Sequence, residues 1–176
     1  DGNIILDAAG NIVLEPGGGS ITSDAQNFTI ISQESSKPAY TLQNTKDDDS
    51  AAIFTFDKNR FVSSEEAGTA DGDKLGTIQW TGTNNVIGGT ELITYANIGA
   101  FIEEVDDTDE SGMLKMQVAA SNGTVSTMQD GLIIRGDKST RDANVTIGNL
   151  PSSTTTVAGS LTVTSDLTVN GDTVTF

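Results

Sequence analysis

The 176-residue sequence contains no cysteine and no histidine. Without cysteine the chain can form neither a disulfide nor a thiolate metal site, and without histidine it lacks the commonest general base and metal ligand. Aromatic residues make up only 5% of the chain, and proline occurs three times. So few large anchors predict one small globular domain with extensions, and not a large single core.

Basic residues are also scarce, since 9 Lys and Arg stand against 25 Asp and Glu, for a formal net charge of −16. Such a surface repels nucleic acid phosphates and anionic lipid headgroups, so neither is expected as a partner. No apolar run approaches the roughly 18 residues of a membrane span, which argues against membrane insertion. The excess of acid also keeps a repetitive β structure soluble and discourages its strand edges from pairing with other proteins.

Short β-branched runs, separated by clusters of Gly, Asn, Asp, Ser and Thr, dominate the middle of the chain. Stretches with a 3.6-residue apolar period are rare, so the pattern predicts an all-β fold. Turn clusters at these intervals are typical of an antiparallel β-sandwich, which we expect as a globular module over residues 27–148. The predicted strands are 28–31, 53–56, 75–80, 92–105, 113–118, 131–134 and 144–147.

The longest run, residues 92–102, is predicted to be the central strand. Its two-residue period places Ile98, Ala100 and Ile102 on one face. Phe101 falls on the other face, together with Ile93 and Tyr95. A helix is the alternative, but β-branched residues and Gly99 favour a strand.

Short repeats stand at both ends of the chain. Residues 2–7 (GNIILD) are echoed by 10–15 (GNIVLE), and Leu161-Thr162-Val163 recurs at 167–169. Units this short cannot bury their apolar side chains within one chain, so they stack as a solenoid or wind around identical copies. Only two clear units are visible at each end, which favours an intertwined homotrimer.

These patterns predict four segments. The first is an N-terminal β-repeat stalk that ends in the Gly17-Gly18-Gly19 joint, and the second is the globular β module. A polar neck rich in Ser and Thr and a C-terminal β-repeat stalk follow. The predicted bounds are 1–26, 27–148, 149–160 and 161–176.

Three segments of the module form a recognisable series: LGTIQWTG at 75–82, TYANIGAFIE at 94–103 and ESGMLKMQV at 110–118. The series resembles a module of tailed-bacteriophage tail fibres and other virion proteins, whose usual form is LGxIxWxG, YAxIxAxI and GxLxFxV. The terminal repeats are similar to the stalk repeats that flank such modules, particularly in phages of marine bacteria. Met116 departs from the pattern, because the module usually has an aromatic residue there, and the loop at 106–109 is unusually acidic.

The resemblance implies a homotrimeric fibre outside the cell that links the virion to the host surface. Its implied partners are other virion tail proteins and a glycan or protein receptor on the host. We expect a structural and adhesion protein, not an enzyme, with no cofactor. Two alternatives stay open: a glycan-binding or glycan-hydrolysing tailspike that uses a carboxylate pair, and a bacterial surface adhesin or S-layer-like module.

An acidic cluster after the longest run is a candidate calcium site, because calcium takes six to eight oxygen ligands. The spacing does not fit an EF-hand, since Gln117 stands where the bidentate Glu would be required. A plain acidic hairpin loop is the favoured prediction. The same reasoning predicts a solvated turn for residues 47–49. The candidate calcium ligands are Asp106, Asp107, Asp109 and Glu110.

Glycan binding would need exposed aromatic side chains beside planar polar groups. The only Trp and the two Tyr, namely Trp80, Tyr40 and Tyr95, are the candidates for such contacts. Trp80 and Tyr95 lie in strand patterns, so a place in the core is the favoured prediction for both.

Overall fold

The computed structural model of the protein describes residues 28–31, 33, 38–62, 65–66, 68–86, 89–123, 125–148 and 150–170. The predicted repeats at 2–15, the glycine joint at 17–19 and the last residues, 171–176, lie outside the described residues. The chain divides into two units, Asp1–Phe54 and Thr55–Phe176. The four-segment layout stays a prediction.

All the regular structure in these ranges is β-strand, which confirms the all-β prediction. The described residues contain no helix long and apolar enough to cross a membrane. Two-residue strands, β1 (Phe61–Val62) and β2 (Glu65–Glu66), pair with each other in a small antiparallel hairpin. The five longer strands are β3 (Lys74–Val86), β4 (Gly89–Glu104), β5 (Ser111–Ser121), β6 (Ser126–Gly136) and β7 (Ala143–Ile147).

The five longer strands form one antiparallel sheet whose spatial order, β3-β4-β5-β6-β7, follows the chain. Short connections suffice because neighbouring antiparallel strands begin where the previous strand ends. The sheet contains five of the predicted strands. The run at 92–102 lies in β4, beside the centre, so its prediction as the central strand is wrong. In a sheet laid down in chain order the third strand is central, whatever the length of its neighbours, and that strand is β5.

Two predicted strands are wrong, because residues 28–31 and 53–56 lie outside any strand. An apolar run becomes a strand only when it joins a regular ladder of backbone hydrogen bonds, and no strand ladder of the described residues includes these two runs. Residues 150–170 also contain no strand in the single chain.

No apolar side chain in the described residues is buried. The five-stranded sheet is a single layer, and a sandwich would need a second sheet against it. Besides this sheet, the described residues contain only the small hairpin of β1 and β2. The sandwich arrangement therefore stays a prediction, and so does the trimer. A sheet without a core raises the question of what each of its faces contacts.

Candidate interaction surface

The strand register sorts the side chains of the sheet onto two faces, because residues paired across a ladder point to the same side. One row runs across all five strands through Ile78, Ile98, Met116, Leu132 and Ile147. The rows on either side of it are apolar as well, except that Gln129 of β6 ends the row of Trp80, Ala96 and Val118. Together they define the apolar face, which consists of Gly76, Ile78, Trp80, Ala96, Ile98, Ala100, Leu114, Met116, Val118, Leu132, Ile134, Val145 and Ile147.

The apolar face is open. Seven of its large side chains are between 37% and 59% exposed, and a shallow apolar depression of about 270 Å³ lies between Trp80 and Leu132. Covering a half-exposed apolar side chain is worth on the order of 1 kcal/mol, so covering these seven is worth on the order of 7 kcal/mol. That sum is comparable to the whole stability of a small domain, about 5–15 kcal/mol. The open apolar face therefore leaves unused a stabilisation comparable to that of a whole small domain.

One corner of the apolar face is contacted by the same chain. A Cβ placed on Gly76 would lie 2.5 Å from Cγ of Phe56, so the ring of Phe56 rests where a side chain at position 76 would stand. Glycine is required there by this close approach. The rest of the apolar face has no such cover among the described residues.

The opposite side of the sheet, the polar face, alternates with the apolar face along every strand. Its rows include Gln79, Asn97, Gln117 and Asp130 across β3 to β6. The polar face consists of Thr77, Gln79, Asn97, Gly99, Phe101, Met113, Lys115, Gln117, Asp130, Ile133, Arg135, Asn144 and Thr146.

Charged groups on the polar face are matched within the chain. Lys115 Nζ lies 3.5 Å from Asp130 Oδ2, and Gln117 Nε2 donates a hydrogen bond of 2.5 Å to the other oxygen of that carboxylate. The ammonium groups of Lys74 and Lys115 lie 5.5 and 5.8 Å from the ring centre of Phe101, within cation–π range. These side chains lie along the sheet, so those of Lys115 and Asp130 are only 24% and 13% exposed.

The loop edge at the end of β4 and β6 adds further ion pairs. Arg135 Nε lies 2.7 Å from Glu103 Oε2, and Lys138 Nζ lies 2.7 Å from Glu104 Oε2. The Lys138 hydrogen bond lowers the pKa of Glu104. Hydrogen bonds from the Ser139 hydroxyl and from the backbone N–H groups of Ser139 and Thr140 lower the pKa of Asp137 to about 2. The two ion pairs and Asp137 line a polar depression of about 380 Å³, in which the Asp137 carboxylate is held by hydrogen bonds.

The calcium candidates Asp106, Asp107, Asp109 and Glu110 lie exposed in the loop that joins β4 to β5. The loop closes on itself through a 2.9 Å hydrogen bond from the backbone N–H of Asp109 to the carbonyl of Asp106. Because the loop joins two paired antiparallel strands, its hairpin form is confirmed. Within the described ranges, no three acidic side chains are grouped closely enough to hold a metal ion.

The solvated turn predicted for residues 47–49 is confirmed as well. The three aspartates are exposed in a bend of the first unit. The Asp48 carboxylate accepts a 2.9 Å hydrogen bond from the backbone N–H of Ser50, and Asn44 Nδ2 donates to the Ser50 carbonyl at 3.0 Å. Local hydrogen bonds like that of Asp48, between a side chain and the backbone two residues on, are typical of exposed turns.

The three glycan candidates are all exposed in the single chain: Trp80 at 51%, Tyr95 at 47% and Tyr40 at 66%. Contrary to the prediction of a core position, the side chains of Trp80 and Tyr95 are both exposed in the single chain. Trp80 stands on the apolar face. Tyr40 belongs to the first unit, where its ring meets Phe54 edge-on with centroids 6.4 Å apart.

The apolar face itself was missed by sequence reasoning. Its signal was present as alternation at Leu114, Met116 and Val118, and again at Val145 and Ile147. Such alternation shows that each strand has an apolar side, but it does not show that the five sides coincide.

In comparisons with known proteins, no protein-family model matches the chain, and no curated protein matches it in sequence. The two faces of the sheet and their contacts are therefore the basis for assigning a function.

Proposed function

We propose that the protein is a structural and adhesion segment of a phage tail fibre or similar virion appendage, which acts as a homotrimer and catalyses no reaction. One observation carries the proposal: the chain forms a single-layer sheet with an open apolar face, and no apolar side chain in its described residues is buried. An antiparallel sheet with one apolar face needs a covering layer to be stable. A chain of this kind functions as part of a multi-chain assembly.

The sequence resemblance supports the same assignment. Its three segments, at 75–82, 94–103 and 110–118, fall on β3, β4 and β5, three neighbouring strands of the sheet. The resemblance thus extends over one contiguous part of the fold. In a homotrimer each contact is repeated threefold, which makes a rod stiff and slow to unfold without disulfides.

The charge of the chain suits a fibre outside the cell. A net charge of −16 keeps an extended β assembly soluble and suppresses pairing of its strand edges with other proteins. In this proposal the partners are other virion tail proteins and a glycan or protein receptor on the host surface. The chain spaces and presents the surfaces that make these contacts.

Light scattering on the purified chain tests the oligomeric state. We expect a mass three times that of the 18.3 kDa chain, independent of concentration over the micromolar range. A stable monomer would contradict the proposal.

Antibody labelling of intact virions in the electron microscope tests the location. We expect label on a tail appendage, and purified particles that lack the protein would contradict the assignment. Release of reducing ends from host capsule or lipopolysaccharide by the purified trimer would contradict the claim that it catalyses no reaction.

A further inference from the structure

We infer that the apolar face is the surface through which copies of this chain contact one another, so that the polar face is turned outward. The inference deepens the proposed function and rests on it only for the number of copies. It also assigns the outer surface of the assembly, the side from which a host receptor would be reached.

Electrostatics favours the apolar face over every other part of the described sheet. Two copies that each carry a net charge of −16 repel one another, most strongly where acidic groups approach closely. The apolar face carries no ionisable side chain, so contact through it keeps these charges apart. On the polar face, Lys115 and Arg135 already lie beside Asp130 and Glu103 of the same chain, so they offer little attraction to an acidic copy.

The apolar face of one copy can be covered by the apolar face of a second copy of the same chain. A partner must present an apolar surface of similar extent, and every copy presents one because the same sheet is open in each. Five strands about 4.8 Å apart and about five residues long give on the order of 400 Å² of flat area. Apolar patches of this size mark interaction sites, and side-chain relief raises the area towards the roughly 800 Å² that each partner buries in a stable complex.

The assignment changes the reading of the candidate binding residues. Trp80, at one end of the apolar face, is covered by a neighbouring copy and is therefore not a glycan contact. Surfaces that meet the host are formed by the polar face and by the loops at its edge. Their ion pairs, such as Lys138 with Glu104, are exposed in the assembly as they are in the single chain.

Single cysteines test the assignment directly, because the natural chain has none. We compare Met116→Cys, on the central strand of the apolar face, with Asn97→Cys, on the polar face of the adjacent strand. In the single chain Met116 is more exposed than Asn97. In a monomer with an open apolar face, a cysteine at position 116 would therefore react faster than one at position 97. In the native assembly, kept reduced, we expect Met116→Cys to react with a charged maleimide at least about tenfold more slowly than Asn97→Cys. The two rates should become equal in denaturant.

Light scattering on the same samples separates the outcomes. A trimer in which both thiols react alike overturns the inference and leaves the proposed function standing. A dimer in which position 116 is protected supports the assignment of the face and contradicts the number three. A monomer overturns the inference in either case: a protected position 116 would show that a segment of the same chain covers the face, and a reactive one that nothing does.

Discussion

The two faces of the sheet are formed by the same strands and the same backbone hydrogen bonds, but their side chains differ in how far they are exposed to solvent. Polar side chains such as Lys115 and Asp130 lie along the sheet and satisfy each other, so they are less exposed than apolar side chains such as Met116. Apart from the corner at Gly76, where Phe56 makes contact, the apolar face is open within the part of the chain that the structure describes. The comparison teaches that exposure within one chain does not tell which face would meet water in the proposed assembly.

Placing a charge on each face in turn is the strongest test of this difference. Ile98 and Asn97 are neighbours on β4 that point to opposite faces, so Ile98→Asp and Asn97→Asp introduce the same group one residue apart. We expect Ile98→Asp to dissociate the assembly, because an unpaired carboxylate enclosed in an apolar contact costs several kcal/mol. Asn97→Asp should keep the native mass.

Light scattering gives the mass of each variant, and circular dichroism shows whether the strands persist. A native-size assembly of Ile98→Asp, equal in thermal stability to Asn97→Asp, would contradict the difference between the faces.

Truncating the one large ring of the polar face should weaken that face from within. Phe101→Ala removes the surface beneath the Lys74 and Lys115 ammonium groups. Because Phe101 is only partly buried, we expect a loss of about 2–3 kcal/mol in the free energy of unfolding, below the 3–5 kcal/mol of a fully buried Phe. Urea unfolding measures the loss.

The matched variant Phe101→Leu keeps much of the apolar contact and loses only the cation–π interactions, for which we expect about 1 kcal/mol. Wild-type stability of Phe101→Ala would show that the polar face does not depend on this ring.

Overfilling the occupied corner of the apolar face should have a smaller effect. In Gly76→Ala the new Cβ would lie 2.5–2.9 Å from Phe56, and the atoms it meets include Cβ and Cγ, close to the backbone of Phe56. We expect a loss of about 1–2 kcal/mol, measured by thermal unfolding.

Gly159→Ala is the control for the glycine itself, because open space surrounds position 159. Combining Gly76→Ala with Phe56→Ala should cost less than the sum of the two single changes. Strict additivity would show that the two residues do not contact each other.

Low pH should reduce the contribution of the loop between β6 and β7 to the stability of the fold, and substitution of Asp137 tests this. The folded pKa of Asp137, about 2, lies below the ordinary value of 3.8. Its carboxylate therefore stabilises the fold above about pH 3.8, and this contribution is lost as pH falls towards 2. We expect Asp137→Asn to be less stable than wild type at pH 7 and equal to it near pH 2. Unfolding curves at both pH values test this, and a difference independent of pH would contradict it.

The smallest effect is expected in the acidic loop that joins β4 to β5. Thr108 adopts a φ of 79°, in the left-handed region that a β-branched residue rarely occupies. Thr108→Gly removes this strain but adds freedom to the unfolded chain, so we expect a net gain of up to about 0.5 kcal/mol in thermal unfolding. Asp107→Gly, at a position without a positive φ, should be neutral or slightly destabilising. A lower melting temperature of Thr108→Gly would contradict the claim that the backbone is strained at position 108.

Much of the local structure could be predicted from the sequence. Alternation within residues 92–102 placed Ile98, Ala100 and Ile102 opposite Phe101, and the strand register of β4 agrees. The prediction that Ile93 shares the face of Phe101 is wrong, because the register shift between Trp80 and Thr81 puts Ile93 on the face of Ile98. The acidic residues after this strand predicted a hairpin loop, which joins β4 to β5. These successes share one cause, since the side of a strand and the residues of a turn depend on neighbours in the chain.

Burial could not be predicted in the same way. Trp80 and Tyr95 were expected in a core because large aromatic side chains in strands are usually covered. Whether a cover exists depends on a second layer, and residues 28–31 and 53–56, which were predicted as strands, form no strand. A run of apolar residues predicts that its side chains are buried, but it does not predict which surface covers them.

By itself, then, the sequence determined that the chain is β-rich and acidic and that its strands alternate between apolar and polar side chains. Only the tertiary structure decided that the apolar sides coincide in rows such as Ile78, Ile98, Met116, Leu132 and Ile147. The register shift between Trp80 and Thr81 and the one between Met116 and Gln117 help to set these rows. Alternation is a property of one strand, whereas an open face arises from hydrogen bonds between strands far apart in the chain.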